Sequence, residues 1–236
     1  MFNHQPNDES PDIMKNPIIL SRPVHHFLMA GIYAVASLVC VIGLTGCLAR
    51  TPLKQQTFAF GSPDVAATNS VAGNRVLAIR KLQIAAPFAS RSLVYRTGEF
   101  TYVDDPYAVF LAAPEEELMA PVRAGLCREG DFSTVVGTGS ALKANTLVEI
   151  NVSQLYGDFR DPASAKAVLT MQFLFFKATK GVATKPLFQK EYSRSIALDQ
   201  PSAAALMKGW NQGLSEILAE VLTDYRQAEA ASKLGR

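Results

Sequence analysis

The stretch Thr146-Leu-Val-Glu-Ile150-Asn-Val-Ser-Gln-Leu155-Tyr-Gly-Asp-Phe159 alternates apolar and polar side chains. Val148, Ile150 and Val152 fall on one side; Glu149, Asn151 and Ser153 fall on the other. A period of two marks a half-buried strand, because successive Cβ atoms point to opposite faces. Asp161-Pro162 comes next as a loop. Lys166–Ala178 repeats the pattern with Leu169, Met171, Phe173 and Phe175 on one face. Lys180-Gly181 reads as a turn and Pro186–Ile196 as a third strand. Three consecutive strands joined by short connections predict an antiparallel meander.

Downstream, Gln200-Pro201-Ser202 opens a helix whose apolar residues are Leu206, Trp210, Leu214, Ile217, Val221 and Tyr225. Steps of three and four place them in one stripe, with Trp210 read as core. Residues 228–236 are expected to fray. Upstream, Arg75–Ile84 reads as a strand, and Leu93–Thr97, Gly98 and Phe100–Val103 as a tight hairpin. Asp104-Asp105 before Pro106 reads as a turn. Pro114 followed by Glu115, Glu116 and Glu117 is a helix start, with Leu118, Val122 and Leu126 on one face. Pro121 is expected to kink or shorten that helix and Gly130 to end it. Phe132–Val136 is another short strand, and Thr57–Phe60 is compatible with one more. The expected fold is α/β: a single two- or three-layer domain with a mixed, mostly antiparallel sheet of five to six strands packed by two main helices. It is expected to span residues 75–227, behind a tether at 47–74.

The segment before that tether is of another kind. Phe27–Leu44 carries no charge and comes after Lys15 and Arg22. A basic region before an apolar run is the signature of an export signal, although this run is also just long enough to span a bilayer as an uncleaved anchor. Its ending favours export: Leu44-Thr45-Gly46-Cys47 matches the box of bacterial lipoproteins, in which a small residue precedes the lipidated cysteine. Residues 1–46 then form the signal peptide, and Cys47 carries the acyl anchor. Met14-Lys15 makes a better start than the acidic stretch holding Asp8, Glu9 and Asp12.

Removal of residues 1–46 narrows the chemistry. His4, His25 and His26 all leave with the signal, so histidine bases, triads and histidine metal sites are excluded. Cys127 remains as the one unmodified thiol, which permits neither an intrachain disulfide nor a cysteine zinc site. No Gly-x-x-x-x-Gly-Lys-Ser/Thr loop is present, and Gly137-Thr138-Gly139-Ser140 is explained by turn chemistry. The 23 basic and 21 acidic residues balance too closely for a dedicated nucleic-acid binder. With 48% hydrophobic residues, the chain has ample material for a core. A non-enzyme without cofactor or metal is expected.

The order of these features resembles the ABC-type transport auxiliary lipoproteins, the group that includes paraquat-inducible protein C. The resemblance covers about residues 58–226. It rests on the strand Arg75–Ile79, on Leu93–Thr97 with the aromatic-rich Phe100–Val103, and on the helix near Pro114. Asp131-Phe132, the strand around Leu147, Phe173–Phe176 and the closing amphipathic helix complete it. Phe110 stands where the family usually carries tryptophan. The resemblance implies an outer-membrane lipoprotein on the periplasmic face, anchored by acyl chains at Cys47. Its implied partners are an MCE-type periplasmic protein and an ABC permease complex moving phospholipids or other hydrophobic molecules, with a homo-oligomer in some members. No catalytic residues come with the family. An outer-membrane assembly or structural lipoprotein, and an envelope enzyme using carboxylates alone, are the competing readings.

A protein acting through binding shows itself in exposed aromatic residues. Tyr95, Phe100, Tyr102, Tyr107 and Phe110 crowd one short region. One reading packs all five under the first helix; the other turns Tyr102 and Tyr107 outward as an interface. The lipidation reading is tested directly: the wild-type chain is expected to take up a clickable fatty acid, and Cys47→Ala or Cys47→Ser to take up none. Label persisting in the variants, or absent from the wild type, contradicts it.

Overall fold

The elements in chain order are β1 (Gln56–Phe58), β2 (Val76–Ile84), β3 (Ser92–Arg96), β4 (Tyr102–Phe110), α1 (Pro114–Cys127), β5 (Thr134–Val136), β6 (Thr146–Asp158), β7 (Lys166–Thr179), β8 (Val182–Ala197) and α2 (Ala203–Leu234). This computed structural model describes residues 54–61, 75–128, 131–137, 139–180 and 182–234. The expected signal peptide, the tether apart from residues 54–61, and the glycines Gly130 and Gly181 lie outside the described residues.

β6 is the axis of the sheet. Along one edge it pairs antiparallel with β7, which pairs antiparallel with β8, so the expected meander is present. Along its other edge β2 and β3 both run parallel to it: β2 covers Thr146–Val152, and β3 meets Gly157 and Asp158. A 3-10 turn at Ala86–Phe88 separates the two, and the Ala85 N–H donates to the Val152 carbonyl as β2 ends. β5 extends β2, while β4 and β1 extend β3. The sheet is mixed as expected. The three-residue strands β1 and β5 bring its strands to eight among the described residues.

The sheet buries one face under α1 and α2. Val148, Ile150, Val152, Leu169, Met171, Phe173 and Phe175 are each at most 2% exposed, and so are Leu206, Trp210, Ile217, Val221 and Tyr225 of the helical stripe. The alternation of β6 does not run cleanly to Phe159. A bulge between Val152 and Gln154 shifts the register, and beyond it Leu155 and Tyr156 are both buried. A bulge inserts one unpaired residue and reverses the facing of the residues beyond it. Gly157, one step from Tyr156, lies close to Leu206 of α2, so Tyr156 points away from the helix layer.

Other expectations are corrected. Residues 54–61 belong to the fold rather than to a tether. β1 pairs parallel with β4, and the buried Phe60 ring stacks 6.3 Å from Trp210 and 5.8 Å from Phe110. α1 runs through Pro121 to Cys127 unshortened; Pro121 is buried between the helices, and that burial offsets its missing N–H. β8 begins at Val182 and carries Pro186 within it. A bulge at Phe175/Phe176 and the unpaired outer edge accommodate a residue without a ladder donor. Residues 228–236 are not a frayed tail as far as they are described. α2 stays helical to Leu234, held by Glu229 on Arg75 and by Ser232 on Lys177.

Trp210 is core, as the stripe required: its Nε1–H donates to the Val168 carbonyl at 3.0 Å. The neighbouring Gly209 brings α2 down onto the sheet. A Cβ there would lie 2.6 Å from Ala167 Cβ and 2.9 Å from Leu198 Cδ2. In an ordinary helix interior Gly→Ala stabilises by up to about 1 kcal/mol. Here Gly209→Ala is expected to destabilise by about 1–3 kcal/mol, because Ala167 cannot rotate away. Urea denaturation followed by far-ultraviolet circular dichroism decides the sign.

Candidate functional site

The aromatic region is built on the β3–β4 hairpin. At its tip the N–H groups of Thr97 and Gly98 donate to the Thr101 carbonyl at 3.0 and 3.4 Å. The Arg96 guanidinium donates to the carbonyls of Gly98 and Glu99 and lies 5.8 Å over the Tyr102 ring. Phe100 belongs to this tip, not to the strand, and is 87% exposed. Tyr102, 46% exposed, meets Tyr156 edge-on at 5.4 Å and Phe88 at 6.2 Å.

Asp104-Asp105-Pro106 is not a turn between elements, because β4 continues through it. The chain instead bulges: Ser92 pairs with Val109 but Leu93 with Asp105. Asp105 supplies the turn chemistry inside the strand, its Oδ1 accepting from the N–H groups of Tyr107 at 2.8 Å and Ala108 at 3.1 Å. Its Oδ2 accepts from the Tyr95 hydroxyl at 2.9 Å. Burial, then this bond, pushes the Tyr95 pKa well above the usual tyrosine range. Tyr107, lifted by the bulge, is 49% exposed.

The five aromatics therefore divide. Phe110 is core, Tyr95 is half-buried against Phe159, and Phe100, Tyr102 and Tyr107 face solvent in part. Among the described residues no ring contact joins Tyr102 to Tyr107; Tyr102 precedes the bulge and Tyr107 lies within it. Leu44, Thr45, Gly46 and Cys47 lie outside the described residues. Cys127 is half-buried; burial pushes its thiol up against the lowering effects of its backbone contact at Val135 and of Arg123. Among the described residues no group of three or more His, Cys, Asp or Glu stands together for a metal.

A second feature escaped the sequence reading. α1 and α2 run in the same direction. Glu117 and Asn211 are level through the N–H groups of Phe60 and Gly61, Gly125 is level with Leu218, and Asp131 with Arg226. Between the helices lies a half-open groove of about 340 Å³. Pro121 and Gly125 form one wall; Leu214, Leu218 and Leu222 form the other. Periodicity identifies a buried stripe but not the gap left where two stripes fail to close.

A third cluster joins the edge strand to α2. Lys190 meets Glu220 at 3.0 Å and Asp224 at 2.7 Å, while Arg194 meets Glu220 at 2.7 Å and Glu216 at 3.1 Å. The Tyr192 hydroxyl donates to Asp224 at 2.8 Å. Lys190, with help from Tyr192, holds the Asp224 carboxyl below its ordinary range, and Arg194 with Lys190 does the same for Glu220.

No family model matches the chain, and no curated protein matches it in sequence. Solved structures match its fold. XCC0632 from Xanthomonas campestris, of the DUF330 family, superposes with a TM-score of 0.56 at 11% identity, covering 78% of this chain and 92% of its own. An uncharacterized protein superposes with a TM-score of 0.56 at 13% identity, covering 72% of this chain and 98% of its own. At these identities the likeness is one of fold.

The carboxylate cluster makes stability depend on pH. Unfolding returns Glu220 and Asp224 to higher pKa values, so the unfolded chain binds more protons. Their contribution is present above the ordinary carboxylate range and is lost as pH falls through their lower folded values. The double variant Glu220→Gln/Asp224→Asn is expected to lose its urea midpoint less steeply than the wild type between about pH 5 and pH 2.

Proposed function

We propose that this chain is a lipid-anchored, periplasm-facing accessory component of an MCE-type ABC transport system moving phospholipids or other hydrophobic molecules across the cell envelope. The observation that carries the reading is the DUF330-like fold, extending over nearly all of the neighbour and most of this chain. It joins a sequence that places a lipoprotein box ahead of that fold. The DUF330 fold group is the one to which paraquat-inducible protein C belongs. In this reading the acyl chains at Cys47 hold the domain at the outer membrane. The domain acts by binding rather than by catalysis, and a homo-oligomer supplies repeated contact surfaces.

The hairpin supports such a role physically. Tyr102 is held from behind by Tyr156 and Phe88, so its exposed edge is already ordered before a partner arrives. Tyr107 is lifted by a bulge that Asp105 closes with two hydrogen bonds. Tyrosine suits such positions because its ring buries area while its hydroxyl tolerates water.

A tagged full-length chain is expected to co-purify an MCE-type protein and its permease from solubilised envelopes. Tyr102→Ala and Tyr107→Ala are each expected to lower that yield about tenfold, the equivalent of about 1.4 kcal/mol. Tyr102→Ala should cost the fold about 1 kcal/mol through its lost ring contacts, and Tyr107→Ala less than about 0.5 kcal/mol. Recovery of an outer-membrane barrel or its assembly machinery in place of a transporter overturns the proposal in favour of an assembly lipoprotein.

A further inference from the structure

We infer that the tip of the β3–β4 hairpin inserts Phe100 into the surface of the bilayer that carries the acyl anchor. Anchoring at Cys47 is taken from the proposed function; the choice of the tip rests on the structure.

Reach decides which end of the domain can meet that bilayer. β1 runs parallel to β4 with Gln56 level with Ala108, so the chain enters the fold from the side of the hairpin tip. Val109, next to Ala108, pairs with Ser92, and Tyr102 pairs with Arg96, four residues along β3. Phe100 lies two residues beyond Tyr102. Gln56 is therefore about six strand residues, or about 20 Å, from the level of Phe100. Cys47 stands nine residues before Gln56, and nine residues span at most about 30 Å. The other end of the sheet is out of range. Tyr95 is level with Gly157, which puts Ser92 beside Gln154 and its β7 partner Thr170. The β7–β8 turn at Lys180 is ten residues farther along β7, about 33 Å in the direction opposite to the one from which the chain arrives.

The tip is shaped for an apolar surface. Phe100 is 87% exposed, Val103 47% and Tyr102 46%, so three of the eight large exposed apolar residues among those described fall within four positions. The tip also satisfies much of its own backbone: Thr97 and Gly98 donate to the Thr101 carbonyl, and Arg96 donates to the carbonyls of Gly98 and Glu99. Backbone groups already paired can leave water without further partners, whereas a protein partner would find few groups here to bond. Charge does not drive the contact. Arg96 and Glu99 are of opposite sign, and Asp158 beside them is bridged to Arg160 at 2.6 Å. An aromatic ring entering the interface of a bilayer requires no net charge, and Tyr102, about 7 Å behind it, falls at headgroup level. Its exposed edge there stays open to a protein approaching over the membrane.

The test uses the full-length lipidated chain with Cys127→Ser, reconstituted in vesicles of phosphatidylethanolamine and phosphatidylglycerol. A nitrobenzoxadiazole fluorophore is attached through Thr101→Cys, which leaves Phe100 in place. The control is Leu142→Cys, at a residue that lines a cavity with Lys180 at the other end. Lipids bearing a nitroxide on the acyl chain are expected to quench the probe at 101 and not at 142. Phe100→Ser is expected to lower the ratio of inserted to withdrawn tip about tenfold, with circular dichroism unchanged, and Phe100→Trp to preserve it. Quenching is expected to persist at about 1 M salt, where charges are screened beyond about 3 Å. The inference is overturned by no quenching at 101, by equal quenching at 101 and 142, by quenching indifferent to Phe100→Ser, or by its loss in salt. A probe at 101 unquenched in vesicles but shielded from iodide in native envelopes assigns the tip to a protein partner and equally overturns it. Flotation of the same vesicles reads the anchor separately. A chain that floats with its tip unquenched removes the tip and leaves the anchor, and a chain that does not float removes both.

Discussion

Burial of the Trp210 indole joins parts of the chain that are far apart in sequence. Its N–H closes on the Val168 carbonyl of β7, while its ring stacks with Phe60 behind β1 and Phe110 at the end of β4. An indole buried without a partner for its N–H would incur the desolvation cost of that group, so the ring is confined to one orientation. That orientation allows Gly209 to lie against Ala167 and lets the stripe from Leu206 to Tyr225 settle along the meander. Residues 54–61 are therefore tied to the core through Phe60, although 13 residues outside the described structure separate them from β2.

Two irregularities convert this regular core into a surface with distinct features. The β6 bulge reverses the facing of Tyr156, which then supports Tyr102 from beneath together with Phe88. The β4 bulge lifts Tyr107 while keeping Val109 and Phe110 buried. Both place aromatic rings where an uninterrupted alternation would not, as bulges do when they re-aim a side chain. Gly125 does comparable work between the helices. A Cβ there would come within 2.4 Å of Leu218 Cδ1, so the missing side chain sets how closely the two walls of the groove approach.

The meander, the closing helix and its core stripe were legible because each obeys one period over many residues: Val148 to Val152, Leu169 to Phe175, Leu206 to Tyr225. The readings that failed concerned local signals overruled by tertiary contacts. Pro106 and Pro186 sit inside strands because one lies in a bulge and the other on an edge. Pro121 sits inside a helix because its ring is wanted between two helices. A short strand was legible near Thr57–Phe60 and β1 overlaps it, but its place beside β4, with Phe60 against Trp210, depends on distant residues that the surrounding tether-like composition does not announce. Glu229–Leu234 remain helical with the help of Arg75, a partner 154 positions from Glu229. The site was less legible than the fold. The exposed tyrosines can be picked out as aromatics in a turn-rich region. The groove depends on the parallel course of two helices that no local pattern encodes.

The attachment of β1 also has a mechanical side. A pull from the N-terminal direction enters the fold at residues 54–61. β1 lies parallel to β4 through three register pairs, so force along the strand shears those pairs together rather than unzipping them one by one. Behind them in series stand the Phe60 ring beneath Trp210 and the Gly61 N–H on Asn211. Tension on this end is thus delivered to the N-terminal third of α2, and the helix, the sheet beneath it and the groove beside it would feel the same load.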